Sequence, residues 1–419
     1  MLLNVSQRGL ERLAVLKKDI EAVNRNWLHL IRQSGLLDPV AATQTFRVPR
    51  VLVHLVGGAS MGVIDNAARI GIPLFQFAEA DRFVADLTAT LNGESIAQAQ
   101  TPEAPEARAL FENYQRLALS YLLLARDLIS QDPVVAKLAL DLDPRAMQLA
   151  GCSVDQLRTL ANAESTILGA RHARSLNEMI RVLGSSHIAD DQRAVICSSF
   201  LLISRTDTPA ALQPVTKPTV GSDQLGQLQN ITALAFLGCR LKASASLTRA
   251  PRPLVRAVML SAGLSVEDRG GRRPSRIASL LETTPAHMSS SFFLANYMAA
   301  RALVGEYKAE CSADAYRAAL TMSWLVGEVV TIDPDVAQMI ADRFHVTELA
   351  LRRCPTCDST HLMSTSPIAI RRDVVLQRDC PVCRESACAK SGQNHARLRG
   401  RRTRVAEALD AVEVAGLFD

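Results

Sequence analysis

LFENYQRLALSYLLLARDLISQ (Leu110–Gln131), followed at once by DPVVA (Asp132–Ala136), decides the fold class of this chain. Leu110, Tyr114, Leu117, Tyr121, Leu124 and Leu128 recur at three- and four-residue spacing, the period of one long amphipathic helix. Asp132-Pro133 then predicts a second helix start. An Asp at the N-cap accepts otherwise orphaned backbone N–H groups, and a proline at the first helical position gives up no bonded N–H. Ser153-Val154-Asp155-Gln156 offers a third start, with Ser at the N-cap and Gln at the third helical position. The region reads as a small, mainly α domain whose apolar face closes either an ordinary core or a partner contact.

The same signals occur earlier in the chain. Asn26–Ala59, shifted by 94 positions onto Ser120–Ser153, matches nine of 34 residues, including Leu28/Leu122, Leu30/Leu124, Arg32/Arg126, Leu55/Leu149 and Gly57/Gly151. DPVAA (Asp38–Ala42) falls on DPVVA, and Trp27 on Tyr121. After one residue is dropped, Ser60 meets Ser153 and Ala68 meets Ala161. Chance supplies about two identities in such a window, so an internal repeat is expected.

Two stretches poor in large apolar residues, Gly93–Arg108 and Thr206–Ser222, read as linkers and divide the 419 residues into three blocks, at 1–92, 109–205 and 223–405. The composition, 48% hydrophobic and 21% charged with only 4% aromatic, is that of a helical globular chain. No apolar run approaches the ~20 residues of a membrane span. The first residues, MLLNVSQRGLERLAVLKKD, mix charge into the apolar stretch and carry no cleavage signature, so a cytosolic protein is expected. Charge is unevenly placed. Residues 222–405 hold 25 Lys/Arg against 16 Asp/Glu, residues 406–419 carry −4, and the front half is neutral. A basic third block beside a neutral front points to a polyanion partner for one and assembly for the other.

Five of the nine cysteines cluster near the end, at Cys354, Cys357, Cys380, Cys383 and Cys388. CPTC and CPVC give C-x2-C-x22-C-x2-C, a spacing at which two knuckles aim four thiolates at one Zn²⁺. One structural zinc per chain is expected, in a ribbon over about 350–388 with IAIRRDVVLQ (Ile368–Gln377) supplying strand between the knuckles. A redox pair would want a βαβ setting, and a catalytic zinc would keep an open position, which four Cys close. His345, His361 and His395 lie nearby without being needed as ligands, and Cys388 is a bystander.

Three basic segments surround this quartet. RLKASASLTRAPRPLVRAVM (Arg240–Met259) reads as helix, short break, helix, with Arg249, Arg252 and Arg256 at three- and four-residue spacing on one face. Such a face can enter a major groove, although an arginine face by itself is most often merely solvated. DRGGRRPSR adds Arg269, Arg272, Arg273 and Arg276 on a glycine-containing loop able to follow phosphates, and HARLRGRRTR adds Arg397, Arg399, Arg401 and Arg402. No Gly-rich phosphate loop, nucleophile elbow or HExxH motif is present, so binding rather than catalysis is expected.

LSYLLLARDLISQD (Leu119–Asp132), SVDQLRTLANAE (Ser153–Glu164) and ADDQRAVICSSFLLISR (Ala189–Arg205) strongly resemble the FlhD subunit of the bacterial flagellar master activator. NWLHLIRQSGLLDPVAATQTFRV (Asn26–Val48) and ASMGVIDNAARIGIPLFQF (Ala59–Phe77) resemble a second, more diverged copy that ends before the last helix. ALAFLGCRLKASASLTRAPRPLVRAVM (Ala233–Met259), RRPSR, AALTMSWLVGEV (Ala318–Val329) and the Cys quartet followed by arginines are similar to FlhC, its partner subunit.

The resemblance implies two small helical FlhD-like domains followed by a helical FlhC-like, DNA-binding domain that ends in the four-Cys zinc ribbon. It implies an activator of flagellar genes, cytoplasmic in a bacterium and associated with the nucleoid, with promoter DNA and RNA polymerase as partners. A homodimer of the fused chain, with no membrane contact, would match a two-fold operator. The alternative reading is a zinc-stabilised assembly or adaptor protein without sequence-specific DNA binding.

Overall fold

The computed structural model describes residues 2–171, 176, 180, 224–236, 240–261, 263, 277–304, 311–326, 332–357, 359–365 and 380–384. The fold is mainly α, and among the described residues no single helix is long and apolar enough to cross a membrane. The chain divides into two compact units, one of Val15–Cys197 and one of Met1–Ala14 with Ser198–Asp419. The linker at 206–222, the segment at 189–205, the strand-like run at 368–377 and Cys388 lie outside the described residues.

The first unit is built twice over. Helix α1 (Leu2–Leu37), α2 (Pro39–Thr45), α3 (Arg50–Gly57), α4 (Met61–Ala68) and strand β1 (Phe75–Phe77) lead into α5 (Ala80–Leu91). Then come α6 (Pro105–Gln131), α7 (Pro133–Leu140), a 3-10 helix (Pro144–Gly151), α8 (Val154–Ala161) and strand β2 (Leu168–Ala170). The caps recur with the elements. Asp38 accepts from Val40 and Ala41 N–H, and Asp132, 94 residues on, from Val134 and Val135 N–H. Ser60 caps α4, and Ser153, 93 residues on, caps α8 in a full capping box with Gln156. Arg47 (φ 47°) and Asp141 (φ 53°), again 94 apart, both take the left-handed turn after their helix. The 3-10 helix stands where the first copy has α3: Pro144 opens it and the Asp143 carboxylate caps Arg145 N–H.

The two copies meet at an antiparallel ladder that maps onto itself when the copies are exchanged. Phe75 lies opposite Ala170 and Phe77 opposite Leu168, with Gln76 facing Gly169 at the centre. Ala78 N–H donates to Ile167 O (2.7 Å) and Arg171 N–H to Leu74 O (3.0 Å), which closes the ladder equally at both ends. A strand of three residues cannot stand alone, and the aromatic core beneath holds it. The Trp27 indole N–H donates to Leu168 O at 3.1 Å, Phe75 sits 5.3 Å from the Trp27 ring and 5.0 Å from that of Tyr121, and Phe77 stacks on Phe83. Trp27, Phe75 and Tyr121 are fully buried. The predicted stripe of α6 faces this core through Leu117, Tyr121, Leu124 and Leu128.

The stretch 93–108 is no free spacer. Ala99 N–H donates to Asn162 O and Glu164 N–H to Ala97 O, forming a bridge at Gln98 and Ala163, and Pro105 already opens α6. The physical reason is local: Pro105 fits the first helical position, and the extended backbone before it satisfies its N–H groups on the α8 exit.

In the second unit, α9 (Gln224–Phe236), α10 (Leu241–Thr248) and α11 (Arg252–Ser261) pack on one another through Ile231, Ala235, Ala245, Ala250, Val255 and Met259. A short α12 (Ala278–Leu281) precedes α13 (Thr284–Val304), which is buried at every position from His287 to Arg301 and serves as the central post. Helices α14 (Cys311–Val326) and α15 (Pro334–His345) follow, and then a hairpin of β3 (Leu349–Arg353) and β4 (Thr360–Ser364).

Candidate metal centre and nucleic-acid interface

The hairpin exists to make a turn. Between β3 and β4 the chain folds back at 354–359, Cys354 N–H donating to Ser359 O at 2.8 Å, and this places Cys354 and Cys357 on one side of the tip. Cys380 and Cys383 arrive from the far knuckle on a helical turn over 381–384, where Arg384 N–H donates to Cys380 O. All four sulfurs lie within 4.8 Å of one another, with Cys354 Sγ 3.7 Å from Cys383 Sγ and Cys357 Sγ 3.5 Å from Cys380 Sγ. Four thiols so close, buried or half-buried, could hold a metal ion, and an all-sulfur donor set suits a soft or borderline cation. Hydrogen bonds from the Cys380 thiol and from Ser359 hold the Cys357 thiol below the usual thiol range, against the opposing effect of burial. Cys380 is pushed up by its bond to Cys357, and burial pushes Cys383 up.

Sequence reasoning missed the groups that brace this centre. Ser359 Oγ lies 3.1 Å from Cys357 Sγ and 2.9 Å from Cys380 Sγ, bridging the two knuckles. His287 on α13 meets Leu362 O at 2.6 Å through Nε2, and Leu362 N–H donates to Ser291 Oγ at 2.9 Å, so the post grips the middle of β4. Burial pushes His287 down to about 4, which keeps the ring neutral. His287 and Ser291 stand four apart in HMSSS, a signal hidden among three consecutive serines of a helix with no polar face. His361 is buried on β4 and remains outside the four-sulfur cluster.

The arginine segment folds as helix, tight turn, helix. Ala243, Ala245 and Leu247 bury α10, and Ala250 in the turn is buried beneath the junction. Gln227 donates to Thr248 O at 3.2 Å, and Gln338 of α15 donates to Ser246 Oγ, so α10 is held from both sides. Arg252 and Arg256 are exposed on α11 while Val255 and Met259 are buried, and the two arginines make no ion pair among the described residues. Arg249 is not on that helix face. It occupies the turn with φ 51°, because α10 ends there and Pro251 cannot continue a helix. Its charge bears instead on His345, whose Nε2 meets the Tyr297 hydroxyl at 2.5 Å beneath the Arg301 guanidinium. Burial, with Arg301 and Arg249 adding to it, lowers His345 to about 4. Arg269, Arg272, Arg273, Arg276, Arg397, Arg399, Arg401 and Arg402 lie outside the described residues.

The three helices thus pack as one compact trio, with a three-residue turn between α10 and α11 and basic residues exposed on α11. No curated protein and no solved structure matches the chain. Residues 105–206, the span that begins with α6, match the family model described as flagellar transcriptional activator (FlhD), and that part of the chain is FlhD-like.

Proposed function

We propose that the chain is a DNA-binding activator of flagellar genes in which two FlhD-like copies and one FlhC-like block are joined covalently. The FlhD family match over residues 105–206 carries this reading, since that family activates flagellar transcription. The recurrence of caps and elements at 93 to 94 residues supports a second, diverged copy in front of it.

In this reading Cys354, Cys357, Cys380 and Cys383 hold one structural zinc. The ion supplies local folding energy to the hairpin and thereby steadies the arginine-rich segment that follows the last knuckle. Arg252 and Arg256 present α11 to the major groove, while Arg249 and the clusters at 269–276 and 397–402 hold phosphates. Two chains pair about a two-fold axis to cover two half-sites, and faces of the helical repeats recruit RNA polymerase, in a bacterial cytoplasm beside the nucleoid.

The test is a gel shift with flagellar promoter duplexes, paired with run-off transcription by purified polymerase. Retarded, competitor-resistant complexes and a raised transcript level are expected. A chain that binds zinc and folds, yet shifts promoter and random duplexes equally and leaves transcription unchanged, would overturn the proposal.

A further inference from the structure

The face that α11 turns to solvent carries more than charge. Arg252, Pro253, Arg256, Ala257, Leu260 and Ser261 are exposed, whereas Val255 and Met259 are buried. At roughly 100° per residue, Pro253, Ala257 and Leu260 run as an apolar strip along the middle of that outer face, with Arg252 and Arg256 along one border. Leu260 is 56% exposed, and no acidic residue occurs anywhere in Arg252–Ser261. A single exposed leucine is ordinary. An apolar strip flanked by arginines on one side and by Ser261 on the other, on a helix that follows a tight turn, is a surface complementary to something both anionic and locally apolar.

The major groove of duplex DNA has both properties. Its walls are phosphate, and its floor shows one apolar group, the 5-methyl of thymine. A protein partner would meet the same strip with apolar and acidic side chains, but it would leave the match between helix width and groove unused. We propose that α11 reads thymine through its 5-methyl group, with Leu260 and Ala257 as the contacting side chains and Arg252 and Arg256 setting the helix against the backbone. This rests on the reading that α11 enters the major groove, and it adds a specificity-determining role for residues that carry no charge.

The experiment uses the full chain and a duplex recovered from a randomised pool by repeated selection with it. Each thymine of that duplex is replaced in turn by deoxyuridine, which removes only the methyl group. Removing one buried methyl group weakens binding by about fourfold, so one or two positions are expected to show that loss and the rest none. Leu260→Ala, at an exposed site that leaves the fold intact, is expected to lower affinity for the parent duplex by a similar factor and to abolish the uracil effect at one of those positions. A flat uracil scan, in a protein whose binding falls with Arg256→Ala, overturns thymine reading and leaves α11 in the groove. Unchanged binding by the Arg252→Ala, Arg256→Ala double variant, or no enriched duplex at all, overturns both. Capture of a protein rather than DNA through the strip, seen as a Leu260-dependent complex with no uracil effect, overturns thymine reading as well.

Discussion

Replacing Phe75 with alanine should separate the two halves of the first unit more than any other single truncation there. The ring is fully buried and lies between one aromatic from each copy, Trp27 at 5.3 Å and Tyr121 at 5.0 Å, directly under the β1–β2 ladder. Phe→Ala in a core costs about 3–5 kcal/mol, and the removal of a ring packed against two other rings places this site near the upper end, at about 4 to 5. For a unit of this size each kcal/mol moves Tm by roughly 2–4 °C, so a fall of about 8–20 °C is expected. The assay is thermal unfolding of the full chain followed by fluorescence in a Trp324→Phe background, where Trp27 alone reports on the first unit. Its emission should shift to the red as the indole N–H loses Leu168 O. Val51→Ala, at an exposed position, is the control and should move Tm by less than about 2 °C. A Phe75→Ala fall no larger than that control would refute the claim that this aromatic layer joins the copies.

Cys380→Ser should abolish stoichiometric zinc in metal analysis and loosen the β3–β4 hairpin, while the unfolding of Val15–Cys197 stays where it was. Asp132→Ala and Asp38→Ala should each cost about 1 kcal/mol in urea unfolding, because each removes a carboxylate that accepts two backbone N–H groups; no change at either would remove the caps from the account. A Cβ at Gly35 would stand 2.6 Å from Val53 Cγ1, so Gly35→Ala should destabilise by about 1–3 kcal/mol and be partly rescued by Val53→Ala in a double-mutant cycle. His345 should titrate by NMR near 4, below its unfolded value of 6.5. The neutral ring's contribution is then complete above about 6.5 and lost as pH falls toward 4, and a midpoint above 6 would contradict it.

What the sequence made legible is what local chemistry decides. The Asp-Pro starts, the Ser153–Gln156 capping box and the α6 stripe each depend on residues within a few positions of one another, and each is found in the structure. The C-x2-C knuckles are legible for the same reason, since two residues of spacing fix a turn. The ladder was not. FQF (Phe75–Phe77) and LGA (Leu168–Ala170) are too short to show alternation, and their pairing is settled by aromatic burial across more than ninety residues. Helix α5 falls in the same class. Phe83 and Leu87 correspond to buried Leu176 and Ile180 at the 93-residue offset, yet the two stretches share almost no identical residues. Spacing groups Arg249 with Arg252 and Arg256, because spacing alone cannot see where a helix stops. The left-handed turn before Pro251 moves it off their face.

At the centre of the ladder Gln76 faces Gly169, and a side chain at the glycine would stand 3.1 Å from Ala78 Cβ and 3.3 Å from Arg47 Cβ. Two separate, identical subunits could not carry this pairing, for each residue on the axis would have to face its own kind. Once both halves travel on one polypeptide, that obligation lapses. Either half is then free to mutate without a mirror-image change in its mate, so one can drift toward new contacts while the other preserves the old ones. The composition of such a pair is set at translation rather than by which two subunits happen to meet.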